Sequence, residues 1–296
     1  MDLRNKQWQW AILFIIALTW GTSFILMKKG LMSFSNNQVA SLRIFLTFLF
    51  FIPLIIPRIK KINKANLKSL LIVGIIGNAI PAFLFAKAQT RIDSSLAGIL
   101  NSLVPLFTLI IGLIFYKSHV KFINIIGLFL GFLGAVGLIY KGGQGEFNIS
   151  SAGYALFVVA ATICYGLTIN EIKFNLKDLD GVSIAALSFL FIGPFAGINL
   201  LFTDLKGSFS QPEAMESLGY IVILSLFGSV FAVILFNLLI KYTTAIFASS
   251  VTYIIPVFAI FWGIFDGEKI MMEDILWIFV ILIGISLVNK KKLIDV

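Results

Sequence analysis

The chain has one cysteine, Cys164, and one histidine, His119, in 296 residues. A lone thiol excludes a disulfide scaffold, and without a cysteine or histidine cluster no metal centre of that kind assembles, so no metal or cofactor is expected. Cys164 is expected as a small wall residue of an apolar helix. Charge is scarce too, at 12% Asp, Glu, Lys and Arg against roughly 25% in an ordinary soluble domain. The rest is mostly apolar: 59% of residues, with a mean hydropathy of +1.01. A single water-soluble core of this size does not take in that much apolar surface. A cytosolic enzyme, a disordered chain and a disulfide-rich secreted domain are excluded together.

Charge-free runs cover 7–27, 30–57 (interrupted once, by Arg43), 69–86, 94–116, 122–140, 147–170, 181–203, 217–240, 242–265 and 275–289. Crossing about 30 Å of hydrocarbon takes a helix of about 20 residues, which these runs match. Strands of a membrane barrel are half as long and alternate in polarity, whereas these runs are apolar on every face. The expected fold is an all-α polytopic membrane protein of ten transmembrane helices. Arg4 and Lys6 ahead of "AILFIIAL" resemble the start of a signal peptide, but the run reaches Met27 without an A-x-A-like site. It reads as a retained helix. The longest polar connection is about 14 residues around 204–217, too short for a soluble domain. Function is expected inside the bundle.

The net charge of +9 is distributed by side rather than gathered in a patch. With the N-terminus inside, cytoplasmic segments collect fifteen Lys and Arg and the opposite side seven, while acids run five to nine. That bias places both termini in the cytoplasm and excludes a nucleic-acid surface. The Ile-, Phe-, Lys- and Asn-rich composition points to a bacterial cytoplasmic (inner) membrane.

Sliding the chain by 151 residues sets Gly77 on Gly228, Leu84 on Leu235, Phe85 on Phe236, Ala97 on Ala248, Pro105 on Pro256, Phe107 on Phe258 and Gly112 on Gly263. A slide of 145 sets Trp20-Gly21 on Tyr165-Gly166. The chain divides into two five-helix repeats, 1–145 and 146–296. Five is odd, so the second repeat enters from the opposite side and the two are inverted. Inverted repeats give secondary transporters two similar states, with the substrate site near the midplane.

Four stretches, in order, carry a family resemblance: "WGTSF" (Trp20 to Phe24), "ASLRIFL" (Ala40 to Leu46), "FAKAQTRIDSSLAGILNSLVPLFT" (Phe85 to Thr108) and "ASSVTYIIPVFAIFWGIFDGEK" (Ala248 to Lys269). On these the chain resembles the drug/metabolite transporter superfamily, specifically its ten-helix EamA-type members. The resemblance implies export or exchange of small metabolites, with a cavity lined mainly by helices one, three, four, six, eight and nine. The halves depart from each other where Gly267-Glu268 meets Tyr116-Lys117.

Arg43 is the one charge inside a span, and such a charge faces the bundle interior, a partner or water. It is expected either to hold a substrate carboxylate or helix-end carbonyl, or to snorkel to the outer interface. Pro105 and Pro256, and Pro81 beside Asn78, each remove a backbone donor and are candidate hinges. Among polar side chains deep in spans, Ser23, Asn78, Asn101 and Asn237 are expected in the cavity, whereas Thr22, Thr168, Asn170 and Thr252 suit bonds between helices. Trp20, Tyr165 and Tyr253 offer rings with a polar edge to a substrate. The thirty phenylalanines are expected as filler. Gly127, Gly131, Gly134 and Gly137 suit close helix packing, and "GGQG" at 142–145 lacks the Lys-Ser/Thr of a phosphate loop.

No Asp, Glu or His occupies mid-span; Asp93, Glu171 and Asp266 stand at boundaries. Proton-driven carriers usually relay through an intramembrane acid or imidazole. Facilitated diffusion, exchange, or coupling through a boundary carboxylate such as Glu171 is therefore expected. No catalytic constellation is present. The expected function is a secondary transporter of amino-acid-like or amphipathic metabolites, whose partners are a small-molecule substrate and the lipid bilayer. The alternative is a lipid-handling or scaffold membrane protein.

Overall fold

The computed structural model describes residues 5–116, 122–141, 149–268 and 272–288. Arg4, Lys117, His119, the turn at 142–145 and Lys269 lie outside the described residues. The described chain forms helices α1 (Lys6–Gly30), α2 (Asn36–Ile55, continued by a 3-10 turn Ile56–Lys61), α3 (Lys64–Ala88), α4 (Ser94–Tyr116) and α5 (Phe122–Lys141). The second half repeats the order with α6 (Ile149–Asn175), α7 (Gly181–Leu201), α8 (Ala214–Tyr242), α9 (Phe247–Phe265) and α10 (Met272–Val288). A short helix, Leu205–Phe209, sits in the α7–α8 connection. No strand occurs among the described residues. The protein is an all-α polytopic membrane protein, and eight of its described helices are long and apolar enough to cross a bilayer. Helices α5 and α10 occupy the places of the other two expected spans.

The helix ends show why charge-free runs and helices differ in extent. The run at 30–57 contains a break at Leu31–Ser35, because Ser35 and Gln38 form a reciprocal capping box that starts α2 at Asn36. Helix α6 extends past the run's end at Asn170 to Asn175 and so takes in Glu171 and Lys173. Both charges find partners within the bundle, described below, and the helix continues through them.

Four helices are irregular in the middle. In α4 and α9 a 3-10 turn, Asn101–Leu103 and Ser250–Tyr253, precedes Pro105 and Pro256. Proline cannot donate to the carbonyl four residues back. In α4 that carbonyl, on Asn101, instead accepts the N–H of Val104. In α3 and α8 the helix widens to π turns at Ile75–Ala79 and Leu224–Phe231. Pro81 follows the first, yet its counterpart is Ala232, so proline is not what both turns share. What they share is a side chain that takes up a carbonyl: Asn78 Nδ2 donates to Val73 O at 2.8 Å, and Trp20 Nε1 donates to Gly228 O at 2.9 Å.

Exchanging the halves returns the same helix neighbours. Helix α1 packs on α8 and α9 as α6 packs on α3 and α4; α2 touches α8 as α7 touches α3; α2 pairs with α7 and α5 with α10. Two close crossings repeat at residue level. Gly21 lies against Phe258 and Gly166 against Phe107, while Gly77 meets Thr168 and Gly228 meets Ser23. A Cβ on any of these glycines would strike the facing helix, so their lack of a side chain sets the approach.

Candidate substrate cavity

The irregular centres of α3, α4, α8 and α9 surround a cavity of about 110 Å³ in the middle of the bundle. Seven of the eight side chains expected to bind substrate line it: Trp20, Ser23, Arg43, Asn78, Asn101, Tyr165 and Asn237. Tyr253 is not among the lining residues, although its neighbour Thr252 is. Of the expected hinges, Pro81 and Pro105 each sit one residue from a lining side chain, Ala82 and Val104. Pro256 follows the turn that carries Thr252. Helices α2 and α7 also line the cavity, through Arg43, Ile44 and Phe189, in addition to the six helices the resemblance implies. Helices α5 and α10 contribute no lining residue among those described.

The lining is nearly two-fold. Twenty of its twenty-four residues fall into ten pairs at the 145 or 151 spacing, among them Trp20 with Tyr165, Ser23 with Thr168, Asn78 with Ser229, Phe85 with Phe236 and Asn101 with Thr252. Arg43, Val73, Val104 and Asn237 have no partner in this exchange. The cavity's one charge therefore comes from the first half alone. Its counterpart position in α7 is Ser188, whose hydroxyl donates to Ala185 O within its own helix.

Arg43 turns inward and lines the cavity, donating Nε–H to Ser229 Oγ at 2.9 Å. Among the described residues no carboxylate forms an ion pair with it. A guanidinium carries five donors, so this one retains capacity for an anion. The Asn101 side chain is buried at 5% exposure, and its Oδ1 has no hydrogen-bond partner among the described residues. Thr252, its counterpart, is self-satisfied, with its hydroxyl donating to Ser249 O at 2.9 Å. Asn237 reaches Gly181 O at 3.4 Å, leaving the weakest of the amide contacts here. Asn170 spans α6 and α4 by donating to Thr108 O and Gly166 O, the interhelical role expected of it.

Aromatic rings close the apolar part of the wall. Trp20 meets Phe236 edge-on with centroids 4.8 Å apart, and Tyr165 stacks with Phe85 at 6.1 Å, which in turn contacts Phe24 at 5.6 Å. Phe24, Phe85, Phe189 and Phe236 all face the cavity, which corrects their expected role as filler. The match of Phe85 to Phe236 in the repeat marked two of these rings, but Phe24 and Phe189 pair with Ile169 and Ile44, and the equally matched Phe107 and Phe258 do not line the cavity.

Outside the cavity, charge gathers at both ends of α4. At one end α9 stops in a Schellman turn: Gly267 takes φ +82°, its N–H donates to Ile264 O, and the Glu268 N–H donates to Gly263 O at 2.9 Å. The turn brings Glu268 to the N-terminus of α4. There Oε1 accepts from Ser94 N–H at 3.0 Å and Ser94 Oγ at 2.6 Å, and Oε2 accepts from Ser95 N–H at 3.1 Å and the Ser95 hydroxyl. Lys28 of α1 adds 2.8 Å pairs to both Glu268 and Asp266, and Lys29 pairs with Asp266 at 2.5 Å. Burial pushes the Glu268 carboxyl up, but bonds from Lys28, Ser94 and Ser95 outweigh it and hold the group below the usual carboxylate range. Asp266 is lowered in the same way by Lys28 and Lys29. Asp93 is raised, first by burial and then by the neighbouring Glu268 charge.

At the other end, Glu171 of α6 is 5% exposed and accepts three side-chain donors. They are Ser69 Oγ from α3 at 2.6 Å, the Tyr116 hydroxyl from the end of α4, and Asn175 Nδ2 at 2.9 Å. Two residues on, Lys173 donates to Ile240 O at 3.0 Å and to Thr243 O, tying α6 to the end of α8.

A polytopic helical bundle with a central cavity of mixed apolar and polar lining and bonded ends is the architecture of a membrane transporter. The chain belongs to the EamA-like transporter family, which it matches twice, over residues 8–140 and 152–290. Transporters are not enzymes, and the family assignment places this chain outside enzyme families. It is 24% identical over 285 residues to an uncharacterized transporter of Archaeoglobus fulgidus, covering 96% of this chain and 99% of that one. It is also 24% identical over 292 residues to the uncharacterized inner membrane transporter YedA of Escherichia coli K12, covering 95% and 90%. A solved crystal structure superposes with a TM-score of 0.68 over 96% of this chain and 97% of the other at 14% identity, a likeness of fold.

Proposed function

We propose that the protein is a secondary transporter that moves small amphipathic, amino-acid-like metabolites across a bacterial inner membrane by alternating access, in the direction of export. Residues 1–145 and 146–296 act as two inverted repeats of five spans, and both termini lie in the cytoplasm. The exchange-paired cavity lining, the repeated glycine crossings and the double family match support the repeats; the basic bias of one set of loops supports the orientation. The inner-membrane placement rests on the name of the Escherichia coli relative.

The observation that carries the substrate class is Arg43: a guanidinium turned into an aromatic-walled cavity without a carboxylate partner among the described residues. A solute that supplies an anionic group to Arg43 and an apolar body to Trp20, Phe85 and Phe236 satisfies both surfaces. Asn101, whose amide oxygen has no partner among the described residues, takes a donor such as an ammonium group. Counterflow of a labelled solute panel in proteoliposomes tests this. Saturable exchange of zwitterionic and carboxylate solutes is expected, with Arg43→Gln lowering it at least tenfold, the scale of one charge-assisted hydrogen bond. Absence of exchange for every solute would favour a scaffold or lipid-handling protein.

A further inference from the structure

The geometry points to α4 as a split gate: its first half is latched by Glu268 and its second half by Glu171, and transport requires the two latches to open in turn. This rests on the alternating-access reading above and names the residues that would execute it. Three observations combine. Helix α4 is interrupted by the 3-10 turn Asn101–Leu103, just ahead of Pro105, so Ser94–Leu100 and Val104–Tyr116 are separate α-helical pieces. Each piece ends in a carboxylate contact from a different partner helix: Ser94 and Ser95 with Glu268 beyond α9, and Tyr116 with Glu171 on α6. The latches stand at opposite ends of a 23-residue span, roughly 34 Å apart at 1.5 Å per residue.

The cavity lies between them, and each latch has a lining residue beside it. Met27 precedes Lys28, which pairs with Glu268, and Ile172 follows Glu171; the two side chains are exchange partners. Both latches are made in this structure, where Met27 and Ile172 are 2% and 3% exposed. Freeing Ser94 and Ser95 from Glu268 lets the first piece swing on the 3-10 turn while Tyr116 stays anchored. Freeing Tyr116 from Glu171 does the converse. The exchange is imperfect in composition: the Glu268 latch includes one lysine, Lys28, whereas the Glu171 latch is built from neutral donors.

The test uses the full chain in proteoliposomes on a Cys164→Ala background, with Met27→Cys or Ile172→Cys as the single thiol. A membrane-impermeant maleimide is applied from each face, without substrate. Glu268→Gln is expected to raise labelling of Met27→Cys about tenfold and leave Ile172→Cys unchanged. Glu171→Gln is expected to do the reverse. Loss of charge-assisted hydrogen bonds shifts a two-state equilibrium on that scale. Should either variant fail to fold, Ser95→Ala and Tyr116→Phe replace them with the same expected selectivity. Equal labelling of both probes, or no change in either, overturns the proposal. Selective labelling without counterflow of any solute would remove the transport reading and leave the latches; counterflow with unselective labelling would do the opposite.

Discussion

The two ends of α4 solve one problem with different chemistry. At its N-terminus a carboxylate meets free backbone N–H groups, two hydroxyls and a lysine, in a setting where Lys28 keeps 32% side-chain exposure. At its C-terminus a carboxylate meets three neutral donors and is almost wholly buried. The first cluster draws on helix-end dipole and ionic attraction, which water, salt and acid all weaken. The second depends on hydrogen-bond pairing in a buried site, which salt scarcely touches and truncation damages severely.

The largest separation between the ends is expected from Glu171→Ala. It leaves the Ser69, Tyr116 and Asn175 donors facing an apolar gap, at a cost of about 3 kcal/mol. Thermal unfolding in detergent measures it, and a loss below about 1 kcal/mol would mean that water replaces the carboxylate.

Acid sharpens the comparison next. Because Glu268 and Asp266 are lowered in the fold, their contribution is present above the unfolded carboxylate range and is lost as pH falls through their folded values. Asp93, raised by burial and by Glu268, works with the opposite sign and offsets part of the loss. Lys28, held above its ordinary value by Asp266 and Glu268 in spite of burial, stays charged throughout this window. Stability is therefore expected to decline below about pH 4.5, and Glu268→Gln to flatten that decline in melts between pH 3.5 and 7. An unchanged pH profile in the variant would remove Glu268 from the account.

The smallest effect is expected from Lys61→Ala. Lys61 pairs with Asp180 at 2.6 Å, and bonds from Lys61 and Ser183 hold the Asp180 carboxyl far below its usual range, overcoming burial. Both side chains are nearly half exposed, so the pair contributes at most about 0.5 kcal/mol. A larger drop in the melt would show that the loop network matters more than exposure implies.

Lipid makes some of this molecule plain in its sequence and hides other parts. The spans were legible because hydrocarbon penalises any unpaired charge, so that Arg43 stood out as a candidate for the interior. Pro105 and Pro256 were legible as breaks because proline cannot donate. The π turns were not: Leu224–Phe231 contains no proline, and its widening depends on Trp20, some 200 positions away. The aromatic wall was obscured by number, since Phe85 and Phe236 look like any other phenylalanine until the two halves are laid over each other. Glu171 and Glu268 were hardest to place. Their role depends on where α6 and α9 end, and a charge-free run stops at the charge whether or not the helix does.

Helices α5 and α10 lie against each other through Gly127, Gly131 and Gly284, where the backbones come into contact, and neither lends a described side chain to the cavity. Their importance under the proposed topology is parity. With four spans per half, both halves would enter from the same face and α1 would meet α8 and α9 with its direction reversed relative to the opposing wall. One peripheral span per half turns the second copy over. Under that topology, a helix that lends no described side chain to the cavity decides that the two walls lead to opposite sides of the membrane.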